Sequence, residues 1–123
     1  MKRSMMQAYV KDAIGAMEFY KKAFGAELAA RYVDQTGKIL QHGELNVYGQ
    51  ILALAELPED KPETGNTMQF CLHLGDGQEG KVREIYEMLR DEAKITFPLG
   101  SCDWSTLMVG LIDKYGVSWC IFA

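Results

Sequence analysis

Residues 12–28, D-A-I-G-A-M-E-F-Y-K-K-A-F-G-A-E-L, read as a complete helix with both ends marked. Asp12 is a residue type that caps helix N-termini, and Gly25 stands where a left-handed residue ends one. Between them Ile14, Met17, Tyr20 and Phe24 recur at helical spacing, and Ala13, Ala16 and Ala23 widen the apolar stripe. Such a stripe must be covered by a second layer. The flanking segments predict that the layer is a sheet, since 5–11 and 27–34 have the length and patterning of strands, the second ending at the turn Gln35-Thr36-Gly37-Lys38.

The pattern continues along the chain. A third strand is predicted at 39–48, a tight hairpin at Gly49-Gln50, and a nearly all-apolar fourth strand at 51–57. Residues 58–66, P-E-D-K-P-E-T-G-N, hold two prolines, a glycine and four charges, the composition of a linker. Beyond it come a strand at 67–74, a turn at Gly75-Asp76-Gly77 with Asp76 as cap, and a helix over 78–92. That helix carries Val82, Ile85, Tyr86 and Leu89 at i, i+3, i+4 and i+7. Strands at 94–99, 106–113 and 117–122 complete the chain, the last two joined by a turn at Lys114-Tyr115-Gly116. Each half therefore reads strand, helix, strand, strand, strand. A duplicated unit that cannot cover its own sheet face implies that the units pair. The expected fold class is α+β, one domain of two βαβββ modules at about 1–57 and 67–123.

Charge and composition narrow the function. The chain has 123 residues, a net charge of −4 and a hydrophobic fraction of 48%. Positions 1–60 hold 7 basic and 8 acidic residues and positions 61–123 hold 6 and 9, so no basic stripe exists to grip a phosphate backbone. Nucleic acid is not an expected partner. The longest uncharged run, the twelve residues 64–75, is too short to cross a bilayer, and the uncharged stretch 95–102 is broken by Pro98. The start, M-K-R-S-M-M-Q, lacks the apolar stretch of a signal peptide, and a cytoplasmic location is expected. Cys71, Cys102 and Cys120 form an odd set without C-x-x-C spacing, which argues against a disulfide framework or a zinc knot and favours buried thiols.

Several segments together resemble a known family. F-Y-K-K-A-F-G-A (19–26), H-G-E-L (42–45), L-A-L-A-E (52–56), Trp104 and D-K-Y-G-V-S-W (113–119) occur in the order found in the PhnB-like branch of the glyoxalase/bleomycin resistance/dioxygenase family, the vicinal oxygen chelate superfamily. The resemblance implies paired modules whose mixed sheet curls around a cleft with the helices on the outer face, commonly as a homodimer. Its enzymes hold a divalent metal in the cleft through His, Gln and Glu on the first and last strands of each module. Those positions fall here on Met5, Ala53, Gln69 and Cys120, or, two residues along the same faces, on Gln7, Ala55, Cys71 and Ser118 or Phe122. Neither set supplies the oxygen and nitrogen donors that such an ion needs. No cofactor is expected on this reading.

The remaining candidates follow from strand alternation. If Gln69 faces the cleft, so do Cys71 and His73, leaving Met68, Phe70, Leu72 and Leu74 for the helix side. In the third strand Leu45 and Val47 would lie under the helix, and Leu40, His42, Glu44 and Asn46 toward the cleft. His42, Glu44 and His73 could then supply a general base or an unusual metal set. They could equally be hydrogen-bonded residues of a wet sheet face or a dimer interface. Cys71 and Cys120 share the cleft face as a conceivable redox pair, although no cationic neighbour in sequence activates either thiol. Trp104 matches a position that lines the cleft mouth, followed here by Ser105 where the family commonly has Gly. Glu56, at a strand end, reads as solvated. G-D-G-Q-E-G (75–80) lacks the Lys and spacing of a phosphate loop, and no Gly-rich turn for a nucleotide-like cofactor is present.

The expectation is thus a protein of unassigned activity that binds a small organic molecule without the usual metal. The candidate ligand residues are His42, Glu44, Gln69, Cys71, His73, Trp104 and Cys120. The alternative is a metal-dependent lyase, isomerase or dioxygenase using a divalent ion.

Overall fold

The computed structural model describes residues 1–61, 65 and 67–123. The chain forms two compact units, Met1–Glu63 and Thr64–Ala123. The first contains β1 (Met6–Val10), α1 (Ala13–Phe24), β2 (Glu27–Val33), β3 (Leu40–Val47) and β4 (Gln50–Glu56). The second contains β5 (Phe70–His73), α2 (Glu79–Leu89), β6 (Lys94–Cys102), β7 (Ser105–Ile112) and β8 (Ser118–Phe122). The sheet orders are β1-β4-β3-β2 and β5-β8-β7-β6, so each unit is a βαβββ module with the same topology. In each, the first strand runs parallel to the fourth and the other pairs are antiparallel. The predicted linker lies partly outside the described residues. Among the described residues, no helix is long and apolar enough to cross a membrane.

Helix α1 begins as its sequence predicts. The Asp12 side chain accepts from the Gly15 N–H, and Gly25, at φ 59°, ends the helix by donating to the Lys21 and Lys22 carbonyls. A second cap comes from far away. Glu56 at the end of β4 accepts from the N–H groups of Asp12 (3.0 Å) and Ala13 (2.9 Å), placing a carboxylate on the positive end of the helix. This corrects the solvated reading of Glu56.

Ala13, Ala16, Met17, Tyr20, Ala23 and Phe24 bury the predicted stripe. Register puts Leu45 opposite Leu52 and Gly43 opposite Leu54 on the covered face of the first sheet. A Cβ at Gly43 would come within 2.7 Å of the Met17 side chain and 3.0 Å of Leu40, so glycine there lets α1 lie close. The same contact corrects the placement of Leu40. The pairing slips between Tyr32↔His42 and Val33↔Leu40, and the irregularity turns Leu40 to the helix side, where it is fully buried.

The hairpin between β3 and β4 turns one residue earlier than predicted, with Tyr48 (φ 52°) and Gly49 (φ 87°) between paired Val47 and Gln50. Two successive positive φ values give a type I′ turn, and Asn46 Oδ1 holds it by accepting from the Gly49 N–H at 2.8 Å.

In the second unit Val82, Ile85 and Leu89 of α2 are buried, as are Leu107, Val109, Leu111, Trp119 and Ile121 of β7 and β8. The helix is capped at Gln78 rather than Asp76, without a side-chain bond. Strand β5 is shorter than predicted, and Met68 is exposed instead of lying on the helix side. The D-K-Y-G-V-S-W segment has a structural logic. Buried Asp113 accepts from the N–H groups of Tyr115 (2.9 Å) and Val117 (3.1 Å) and from the Trp119 indole (2.8 Å), which closes the β7–β8 turn and orients the indole.

Candidate functional site

Strand pairing arranges polar residues of the first unit in a row on the face opposite α1. Glu44 is opposite Ala53, and Ala53 is opposite Gln7, so β3, β4 and β1 present these three residues side by side. Glu44 is 6% exposed and is held from two sides. Arg3 donates through Nη2 to Oε1 (2.7 Å) and through Nη1 to Oε2 (3.0 Å), a bidentate pair. His42 Nε2 stands 3.0 Å from the same Oε1. These contacts, Arg3 first and His42 next, hold the Glu44 carboxyl at a pKa of about 2.

An ionised carboxylate only accepts, so His42 donates to Glu44 through Nε2, and in the neutral imidazole Nδ1 is the acceptor. Tyr32, directly across from His42, lies 6.4 Å from it, centroid to centroid. The ensemble can orient a polar ligand group or accept a proton at Nδ1. As a metal site it is poor, because the Arg3 cation already occupies both Glu44 oxygens and the adjacent Ala53 carries no donor. Met5 precedes β1 instead of lying within it. Among the described residues no three His, Cys, Asp or Glu side chains are grouped to hold a metal ion.

The second unit gathers a different set on its helix-free face. Cys71 is opposite Cys120, and His73 is opposite Phe122. The His73 and Phe122 rings stack at 4.6 Å, and Trp104 meets Phe122 edge-on at 4.8 Å. Trp104 is 60% exposed, which leaves most of its indole open to a ligand. Ser105 fixes the neighbouring backbone: its buried hydroxyl lies 2.7 Å from the Ala123 carbonyl oxygen and 3.0 Å from that of Leu107. The hydroxyl thus has a packing role where a glycine was the expected residue. Gln69 turns toward β8 instead, with its amide nitrogen 3.4 Å from Ser118 Oγ and 3.3 Å from the Trp119 carbonyl.

The thiols correct a sequence expectation. Cys120 is buried, but Cys102 is half-buried and Cys71 is exposed. Burial pushes the Cys120 thiol up to about 11, and Cys71 and Cys102 add to the shift.

The candidates therefore group as His42 with Glu44 in the first unit, and as Cys71 with Cys120 and His73 with Trp104 in the second. Sequence reasoning missed Arg3 and the role of Phe122. Arg3 precedes the first strand and meets Glu44 across 41 positions, with no periodicity to announce it. Phe122 had a usable signal, since it shares strand parity with Cys120.

A model of the Glyoxalase/Bleomycin resistance protein/Dioxygenase superfamily matches residues 3–121. No curated protein matches the chain with significance. Among solved structures, a putative 3-demethylubiquinone-9 3-methyltransferase, a PhnB protein from Bacillus cereus, is 25% identical with a TM-score of 0.78, covering 99% of this chain and 98% of that one. Protein PA1353 from Pseudomonas aeruginosa is 16% identical with a TM-score of 0.81, covering 99% and 97%. The fosfomycin resistance protein FosX from Listeria monocytogenes is 15% identical with a TM-score of 0.70, covering 98% and 89%. The last two likenesses concern the fold alone.

Proposed function

We propose that this chain, which belongs to the Glyoxalase/Bleomycin resistance protein/Dioxygenase superfamily, binds a small organic molecule with a planar or apolar part and does so without a resident metal. The observation that carries this reading is the open aromatic array of Trp104, Phe122 and His73 on the helix-free face of its sheet. An exposed indole held edge-on by a second ring is preorganised for stacking, so little rotamer entropy is lost when a ligand docks. The donor chemistry at the family's metal positions supports the metal-free half of the proposal.

We also propose assembly as a cytoplasmic homodimer. Exposed Leu28 and Tyr32 on edge strand β2, and Ile95 and Phe97 on edge strand β6, supply apolar surface for it. Light scattering of the purified protein checks the assembly.

The test of binding uses bleomycin, fosfomycin and 1-anilinonaphthalene-8-sulfonate as probes, with metal content measured on the same preparation. The expected result is saturable binding of an aromatic probe, weakened by Trp104→Ala, in protein with far less than one transition metal per chain. About one tightly bound metal per chain, lost in His42→Ala, would instead establish the metal-dependent alternative, for which the 3.0 Å approach of His42 and Glu44 is the structural argument.

A further inference from the structure

We propose that Cys71 and Cys120 form a dithiol site that reacts with low-molecular-weight disulfides and closes an internal disulfide on the helix-free face of the second sheet. The two residues are direct partners in the parallel β5·β8 pairing. Neighbouring strands lie about 4.8 Å apart, inside the roughly 4.4–6.8 Å range of Cα separations that a disulfide spans. Their side chains leave the sheet on the same side, since the alternating Leu72 and Ile121 are buried on the other. The charge of Cys71 is felt at the Cys120 thiol, as expected of side chains that neighbour each other on one face.

Their surroundings differ in the way an attacking and a resolving thiol differ. Cys71 is exposed and can meet a reagent. Cys120 is 7% exposed, and burial keeps it protonated at neutral pH, so it does not compete for the first attack.

In the first step the Cys71 thiolate attacks one sulfur of R–S–S–R. That bond breaks, and RS⁻ leaves to take up the proton that Cys71 gave up. In the second step Cys120 loses its proton and attacks the Cys71 sulfur of the mixed disulfide, expelling the second thiolate, which takes that proton. Two electrons and two hydrogens pass from the cysteines to the reagent, giving one protein disulfide and two RSH. This inference is independent of the ligand reading.

The test incubates reduced, folded protein with oxidised glutathione, quenches with iodoacetamide and maps non-reduced peptides by mass spectrometry. The expected product is a Cys71–Cys120 cross-link, with the intact mass lowered by two hydrogens and no glutathione retained. Cys120→Ala should arrest the reaction as a glutathione adduct on Cys71. Cys71→Ser should slow thiol release by on the order of tenfold, and Cys102→Ala should leave rate and product unchanged. A Cys71–Cys102 link, a stable glutathione adduct in the unsubstituted protein, or no reaction while its circular dichroism is native would each overturn the proposal.

Discussion

Replacing Glu44 by Gln keeps the side chain's shape and removes the charge that Arg3 and His42 hold. The folded carboxyl titrates at about 2 against an ordinary value of 4.5. Taken at face value, that shift corresponds to about 3 kcal/mol of stability at neutral pH. The Arg3 side chain is 49% exposed, however, and water screens its half of the pair. Discounting for that screening leaves about 1–1.5 kcal/mol. Because the folded pKa is depressed, the contribution is complete above pH 4.5 and disappears as pH falls through about 2. Urea unfolding of the parent and Glu44→Gln should therefore give midpoints separated by a constant amount from pH 8 to pH 5 and converging below pH 4.5. Arg3→Ala should reproduce most of the neutral-pH loss, and combining it with Glu44→Gln should add little, because both remove one interaction. A separation that persists undiminished at pH 3 or below would refute the assignment of this stability to an ionised Glu44.

Three further outcomes follow from the packing. Asp113→Ala leaves three donors without their acceptor, two of them backbone N–H groups; a loss of roughly 3–5 kcal/mol is expected by chemical denaturation, with a red-shifted Trp119 emission as the indole loses its partner. Glu56→Ala removes the distant cap of α1 and should lower stability by about 1–2 kcal/mol, with Glu56→Gln recovering part of it because an amide oxygen still accepts. Phe24→Ala should cost about 3–5 kcal/mol through the cavity left under α1 while leaving aromatic-probe binding by the remaining folded protein unchanged. An unaltered melting temperature in Phe24→Ala would contradict its placement in the core.

How far these features could be read in advance depends on whether they are periodic. Helix α1 was legible to within a residue because its cap, stripe and terminal glycine agree. The strands were legible as alternations, and their ends were less so. Leu40 shows why: one irregular pairing beside His42 inverts the parity of every residue beyond it, and nothing in I-L-Q-H-G marks that slip. Alternation also placed Cys71 and Cys120 on one face correctly but was silent on what covers that face, so the exposure of Cys71 was missed. The partners of Glu44 were divided in the same way. His42 is two positions away on the same strand and was found, whereas Arg3 reaches Glu44 through the fold and carries no local pattern.

The carboxylate that caps α1 has a consequence for how the protein is made. Glu56 is synthesised 43 positions after Ala13, whose N–H it accepts. At ribosomal speeds of about 5–20 residues per second, the N-terminal residue of α1, Ala13, waits roughly 2–9 s for that cap. Strand β1 waits with it, since its sheet neighbour is β4. Isolated helices of this length are marginal in water. The emerging first unit therefore gains little from its early segments until β4 clears the exit tunnel, when the cap, the parallel pairing and the covered face form together. The second unit repeats the same delay, because β5 must await β8.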